Sequence, residues 1–184
     1  MKIGSELSIH LEGVIVKDLV SYPDDRGFFR EIIRSTDPLF QDGSFGQWSH
    51  SRMSHNVVKA WHFHHRQTDW WYLGTGTIEC VLVDNREESS TFGKKSQYLL
   101  GETSAEFPQA KQLCVRIPPG VLHGLKVLSQ AADLFYVTSH SYNPDDEGRI
   151  PYDSPDVNHI FGEDVITTER DRKLFIPPFP RSPL

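Results

Sequence analysis

The chain has 184 residues, a formal net charge of -6 and a pI near 5.8, and its 19 basic side chains form no tract that could offset the acidic surface, so nucleic acid as a general partner is excluded. A hydrophobic fraction of 38%, an aromatic fraction of 11% and 12 prolines exclude a disordered or fibrous chain and describe a folded, turn-rich protein in which one barrel or sandwich uses residues 1–184 as a single domain. No run of about 18 apolar residues occurs, and the N-terminus has neither a hydrophobic signal core nor a small-residue cleavage site, which predicts no membrane partner and no export.

Short β-branched or aromatic runs follow one another along the chain. They are Gly13 to Val16, Asn56 to Trp61, Thr77 to Val83, Gln112 to Ile117 and Leu134 to Thr138. Turn residues punctuate them at Asp24-Asp25-Arg26-Gly27, Gly74-Thr75-Gly76, Pro118-Pro119-Gly120 and Asn143-Pro144-Asp145-Asp146. An all-β fold with little helix is expected. The weak helical candidates are Asp37 to Gln41 and Thr167 to Leu174, where Thr167 or Thr168 could cap ahead of Glu169. Ile176-Pro177-Pro178-Phe179-Pro180 reads as an extended tail. Cys80 and Cys114 lie in strand-like apolar runs, where buried reduced thiols fit a cytoplasmic setting.

Four residues converge in this reading. His62 and His64 stand two apart and project from one face of a strand, with Trp61 and Phe63 on the other. Asp69 and Gly76 follow, and Pro118-Pro119-Gly120-Val121-Leu122-His123 comes later. The spacing resembles the two cupin signatures, H-x-H…D…G and P-x-G-x-x-H, and implies a cupin-type double-stranded β-helix, a jelly-roll barrel with few short helices. His62, His64, Asp69 and His123 would then meet in the barrel mouth, where three imidazoles and a carboxylate suit a divalent iron, manganese, nickel or zinc ion. His50, His55, His65, His140 and His159 read as surface or hydrogen-bonded residues.

Five further motifs, in order along most of the chain, resemble the dTDP-4-dehydrorhamnose 3,5-epimerase family. Asp24 to Glu31 is similar to D-x-R-G-x-F-x-E, and Gln47-Trp48-Ser49-His50-Ser51 to Q-x-N-x-S, with Ser49 in place of Asn. Val58-Lys59-Ala60-Trp61-His62 stands for L-R-G-L-H, and Val83 to Gly93 for V-D-x-R-x-x-S-x-T-F-G. Tyr136 and Tyr142 keep the separation of the family's two active-site tyrosines, and Thr168-Glu169-Arg170-Asp171 resembles S-x-K-D.

The resemblance implies an epimerase or isomerase that removes and returns protons beside the ketone of a nucleotide-linked 4-keto-6-deoxy sugar, without a cofactor and as a homodimer, with possible strand exchange at the N-terminus. It assigns His62 as base, Asp171 as the carboxylate that orients it and Tyr136 as acid. It places Arg26 and Lys59 near the diphosphate, Glu31, Gln47 and Ser51 at the nucleotide, and His123 and Tyr142 at the substrate. Lys59 stands where the family has arginine, which keeps the charge but not the bidentate geometry. His64 stands for a glutamine. Asp69 stands for the lysine that stabilises the enolate oxygen, and an anion in place of a cation at ~4 Å shifts that interaction by about 8 kcal/mol at an effective dielectric of ~20. The family's mechanism then requires Asp69 to be protonated, turned away or neutralised by a metal. A metal bound by His62, His64, Asp69 and His123 in another class of cupin enzyme, and a non-catalytic cupin that binds sugar nucleotides, remain as alternative readings.

Overall fold

The computed structural model describes residues 10–40 and 43–177. Eight strands form the body: β4 (Gln47–Ser54), β5 (Val58–His64), β6 (Asp69–Thr75), β7 (Thr77–Asp84), β8 (Lys95–Gly101), β9 (Leu113–Ile117), β10 (Val121–Val127) and β11 (Ala131–Thr138). They pair as a nested antiparallel ribbon, β7 with β8, β6 with β9, β5 with β10 and β4 with β11. Rolling the ribbon adds the β6–β11 and β7–β10 pairs and gives two packed sheets, the double-stranded β-helix expected from the signatures. Two short strands extend the edges, β1 (Ile15–Asp18) on β9 and β12 (Glu147–Arg149) on β5. The hairpin of β2 (Ser21–Asp24) and β3 (Gly27–Arg30) stands apart as its own two-stranded sheet.

Period-two alternation explains which side chains go where. On β7, Ile78, Cys80 and Leu82 point between the sheets and join Trp71, Leu73, Val115, Leu125 and Leu134 in the main core. Val81 and Val83, on the opposite face, pack with Val58, Trp61, Phe63, Val157 and Phe161. Both faces of this strand are covered, so its stretch from Cys80 to Val83 reads as an unbroken apolar run. Gly76 joins β6 to β7 at φ +83, and a Cβ there would lie 2.2 Å from the Ala131 carbonyl oxygen, so the connection requires glycine.

The helical candidates are single turns. Pro38–Phe40 and Glu169–Arg172 are 3-10 helices, and Thr168 caps the second by accepting from the Asp171 amide. Gln41 and the tail beyond Pro177 lie outside the described residues. The strands β2, β3, β4, β6, β8, β10 and β12 add to the runs legible in the sequence. No described helix is long and apolar enough to cross a membrane. Cys80 and Cys114 are free and buried, and burial pushes both thiols up to about 12.

Candidate active site

A cavity of about 280 Å³ opens between the sheets, and β5 supplies its chemistry. His62 and His64 face inward while Trp61 and Phe63 enter the outer cluster, as alternation requires. Lys59, an odd three residues before His62, also lines the cavity. The register explains this: His123 pairs with His62 and Leu125 with Lys59, so β5 advances three residues where β10 advances two. That bulge turns Lys59 back to the inner face. β4 contributes Gln47 and Ser51, and β11 contributes Leu134, Tyr136 and Thr138. Gly120 donates to the His64 carbonyl at 2.8 Å, which ties the Pro-Pro-Gly turn to the end of β5 and sets the start of the strand that carries His123.

His62 Nε2 lies 2.7 Å from Asp171 Oδ1. With a carboxylate accepting from Nε2–H, the lone pair resides on Nδ1, and the ring is held in that tautomer. Asp171 is itself fixed. Its Oδ2 accepts from the Thr168 hydroxyl at 3.2 Å, and its side chain is only 6% exposed. Burial opposes its ionisation, but the hydrogen bond and charge of His62, with Thr168 and Arg170, outweigh it and hold the carboxyl below the usual range.

Lys59 Nζ donates to Ser51 Oγ at 2.7 Å, and burial lowers its pKa against the opposing pull of Asp171. Arg170 lines the cavity beside Tyr142 and pairs with Glu147. Burial would lower the guanidinium's pKa, but Glu147 and Tyr142 together raise it. Gln47 Oε1 accepts from the Tyr142 amide at 3.1 Å, which fastens the Tyr142 segment to β4.

Asp69 faces the same cavity. Its Oδ1 accepts from Gln67 Nε2 at 2.8 Å and its Oδ2 from the Trp71 indole at 3.2 Å. The ligand atoms of His64, Asp69 and His123 lie within 4.8 Å of one another, and His62 is outside that set. His123 is buried and stacks on His64 with ring centroids 5.5 Å apart. Burial, with the neighbouring His64 and His62, holds its pKa well below the ordinary histidine value.

Thus the cavity brings together Gln47, Ser51, Lys59, His62, His64, Asp69, His123, Tyr136 and Tyr142, with Asp171 behind His62. It does not include Arg26 or Glu31. Arg26 sits in the β2–β3 turn with its side chain 88% exposed, paired with Asp24. Glu31 pairs with Arg34. Sequence reasoning passed over Gln67, Glu147 and Arg170. Arg170 had a signal, since it fills the lysine position of S-x-K-D, whereas Glu147 lies on a three-residue strand too short to read.

The family model described as dTDP-4-dehydrorhamnose 3,5-epimerase matches residues 8–176. The spore coat polysaccharide biosynthesis protein SpsL of Bacillus subtilis is 42% identical over 146 residues, covering 78% of this chain and 91% of that protein. The dTDP-4-dehydrorhamnose 3,5-epimerase of Escherichia coli is 32% identical over 178 residues, covering 90% of each. Among solved structures, dTDP-6-deoxy-D-glucose-3,5-epimerase RmlC of Legionella pneumophila, in complex with dTDP-4-keto-L-rhamnose, aligns with a TM-score of 0.76 at 26% identity, over 89% of this chain and 87% of that one. With the matched region spanning both sheets and the His62–Asp171 pair, the chain belongs to the dTDP-4-dehydrorhamnose 3,5-epimerase family.

Proposed function

We propose that this epimerase acts on a nucleotide-linked 4-keto-6-deoxy sugar of the dTDP-4-dehydro-6-deoxyglucose type, removing a proton beside the ketone and returning one from the opposite face. His62 Nδ1 takes the carbon-bound proton, and the electron pair moves to the ketone oxygen as an enolate. The Tyr136 phenol then delivers its proton to the carbon. Asp171 holds the imidazole in the tautomer that leaves the Nδ1 lone pair free, and positioned acid and base groups give ~10²–10⁴-fold each. The observation that carries this reading is the 2.7 Å His62–Asp171 hydrogen bond in the wall of a cavity that Tyr136 also lines. Gln47, Ser51, Lys59 and Tyr142 bind the substrate, with Arg170 as a second cation. The setting is the cytoplasm, in keeping with two unpaired buried thiols.

Proton–deuterium exchange at C3 and C5 of dTDP-4-keto-6-deoxyglucose, followed by NMR in D₂O, tests the reaction. Loss of signal at either carbon is expected. Tight nucleotide binding without exchange would leave a binding protein rather than an enzyme.

The working unit is a homodimer. Arg26 and Glu31 lie outside their own chain's cavity, on and just after a hairpin that exposes Tyr22, Phe28 and Phe29 at 58%, 57% and 62%. An apolar groove of about 390 Å³, lined by residues including Ile32, Trp70, Tyr72 and Phe135, runs along the outer face of the β4, β6 and β11 sheet. Apolar surface of this kind is covered when a second copy docks, and its hairpin then brings Arg26 to the neighbouring cavity. Light scattering at micromolar concentration is expected to give twice the 21.1 kDa chain mass, and the double substitution Tyr22→Ser, Phe29→Ser should shift the protein to monomer with weaker nucleotide binding. A wild-type monomer would remove the dimer from the reading.

A further inference from the structure

We infer that His64, Asp69 and His123 bind one divalent first-row transition metal ion, whose charge stabilises the enolate where this chain lacks a lysine at position 69. The inference rests on the epimerase reading for its role, but the site itself rests on geometry. Three ligand atoms from three strands, β5, β6 and β10, converge within 4.8 Å on the wall of the cavity. Two imidazoles and one carboxylate are a donor set for iron, manganese, cobalt or zinc that leaves coordination positions open to a substrate oxygen.

Each ligand is held by a neighbour in the way metal ligands require. His123 Nδ1 lies 3.2 Å from the Val121 carbonyl oxygen, so Nδ1 carries the proton and the lone pair is on Nε2. Asp69 Oδ2 is oriented by the Trp71 indole at 3.2 Å. His64 Nε2 and Asp69 Oδ1 are both approached by a single nitrogen, Gln67 Nε2, at 3.2 and 2.8 Å. That amide nitrogen stands where two lone pairs cross, and a cation of the right size would take its place. Among the described residues the sole basic side chain within 4.0 Å of the Asp69 carboxylate is His64, so no lysine or arginine already neutralises it.

The structure also bears on the three ways in which Asp69 could be reconciled with an enolate. The side chain lines the cavity, so it is not turned away. The Trp71 indole donates to one carboxylate oxygen and the Gln67 amide to the other. A metal ion satisfies the same lone pairs and reverses the sign of the charge presented to the substrate oxygen. His62 stays free for proton transfer because its Nε2 is committed to Asp171 and it is outside the converging set.

Trp71 is a built-in reporter, since its indole bonds Asp69 and lies 5.3 Å from the His123 ring. Protein purified without added metal is first assayed for bound transition metals by elemental analysis, then stripped with chelator and titrated with Co²⁺ while tryptophan fluorescence is followed. One equivalent with saturable quenching is expected, weakened at least ~10²-fold in both Asp69→Asn and His64→Ala, each checked for an unchanged circular dichroism spectrum. Deuterium exchange into the sugar should fall at least ~10²-fold in the stripped protein and return with Co²⁺. Absence of saturable quenching, or quenching that survives both substitutions, overturns the site. Metal bound at the site with exchange indifferent to its removal overturns the catalytic role. Exchange that persists in chelator thus refutes the metal's catalytic role while leaving the epimerase standing, whereas no exchange with or without metal refutes the epimerase reading itself.

Discussion

His62→Asn should lower deuterium exchange and epimerisation by about 10²–10⁴-fold while the protein remains folded. The buried Asp171 carboxylate keeps the Thr168 hydroxyl as a partner, but the asparagine side chain has no nitrogen basic enough to take a carbon-bound proton. Asp171→Asn should cost less, because the imidazole remains and loses only the acceptor that sets its tautomer. The two substitutions should not add: in the double variant the rate should equal that of His62→Asn, since the aspartate acts through the ring. Additive losses, or a His62→Asn variant that retains a substantial share of the wild-type rate at unchanged substrate affinity, would take His62 out of the base's role.

The largest effect on stability is expected at Arg86. Asp84 ends β7 with no exposed side-chain surface, and Arg86 binds it twice, Nε to Oδ1 at 2.8 Å and Nη2 to Oδ2 at 2.7 Å. Ser89 and Thr91 each donate to Oδ2 at 2.6 Å. Removing one partner of a buried ion pair costs ~3–5 kcal/mol, because the other charge is left uncompensated. As Ser89 and Thr91 remain, Arg86→Ala should cost about 3 kcal/mol and lower the melting temperature by about 6–12 °C. Adding Asp84→Asn should restore part of the loss, since the buried charge is then gone.

The same pair sets an acid limit. Burial would raise the Asp84 pKa, but the hydrogen bonds from Arg86, Ser89 and Thr91 outweigh it and hold the carboxyl well below the ordinary range. A carboxylate depressed in the folded state contributes stability that is complete above its unfolded value, ~3.9, and is lost as the pH falls through the folded value. The gap between wild type and Arg86→Ala should therefore be full at neutral pH and narrow below about pH 4. Thermal melts of both proteins across that range check it, and a gap that widened in acid would show that Asp84 is not the group responsible.

The strands that could be read in advance, β1, β5, β7, β9 and β11, each carry an apolar face. Thr77 to Val83 is legible because both its faces are covered, one by the main core and one by Val157 and Phe161. β4 escapes notice for the opposite reason. Its inner face carries Gln47 and Ser51 into a polar cavity, and its outer face mixes Trp48 with His50 and Arg52, so no alternation of apolar and polar residues is visible. β12 is too short for any period, and it carries Glu147, which anchors Arg170.

The same division runs through the site. Local spacing places His62 and His64 on one face of β5, because alternation along a strand is a property of the backbone and needs no partner. Motif order identifies Tyr136 and Asp171 as companions from strands and turns far along the chain. Only the packed roll decides the rest: that a bulge returns Lys59 to the inner face, that Asp171 takes Nε2 of His62, and that His64, Asp69 and His123 form a set without it. Those outcomes depend on register between strands and on which lone pair meets which donor. Such relations exist between segments and not within them, so they arise when the ribbon is rolled and the two sheets close on their shared core.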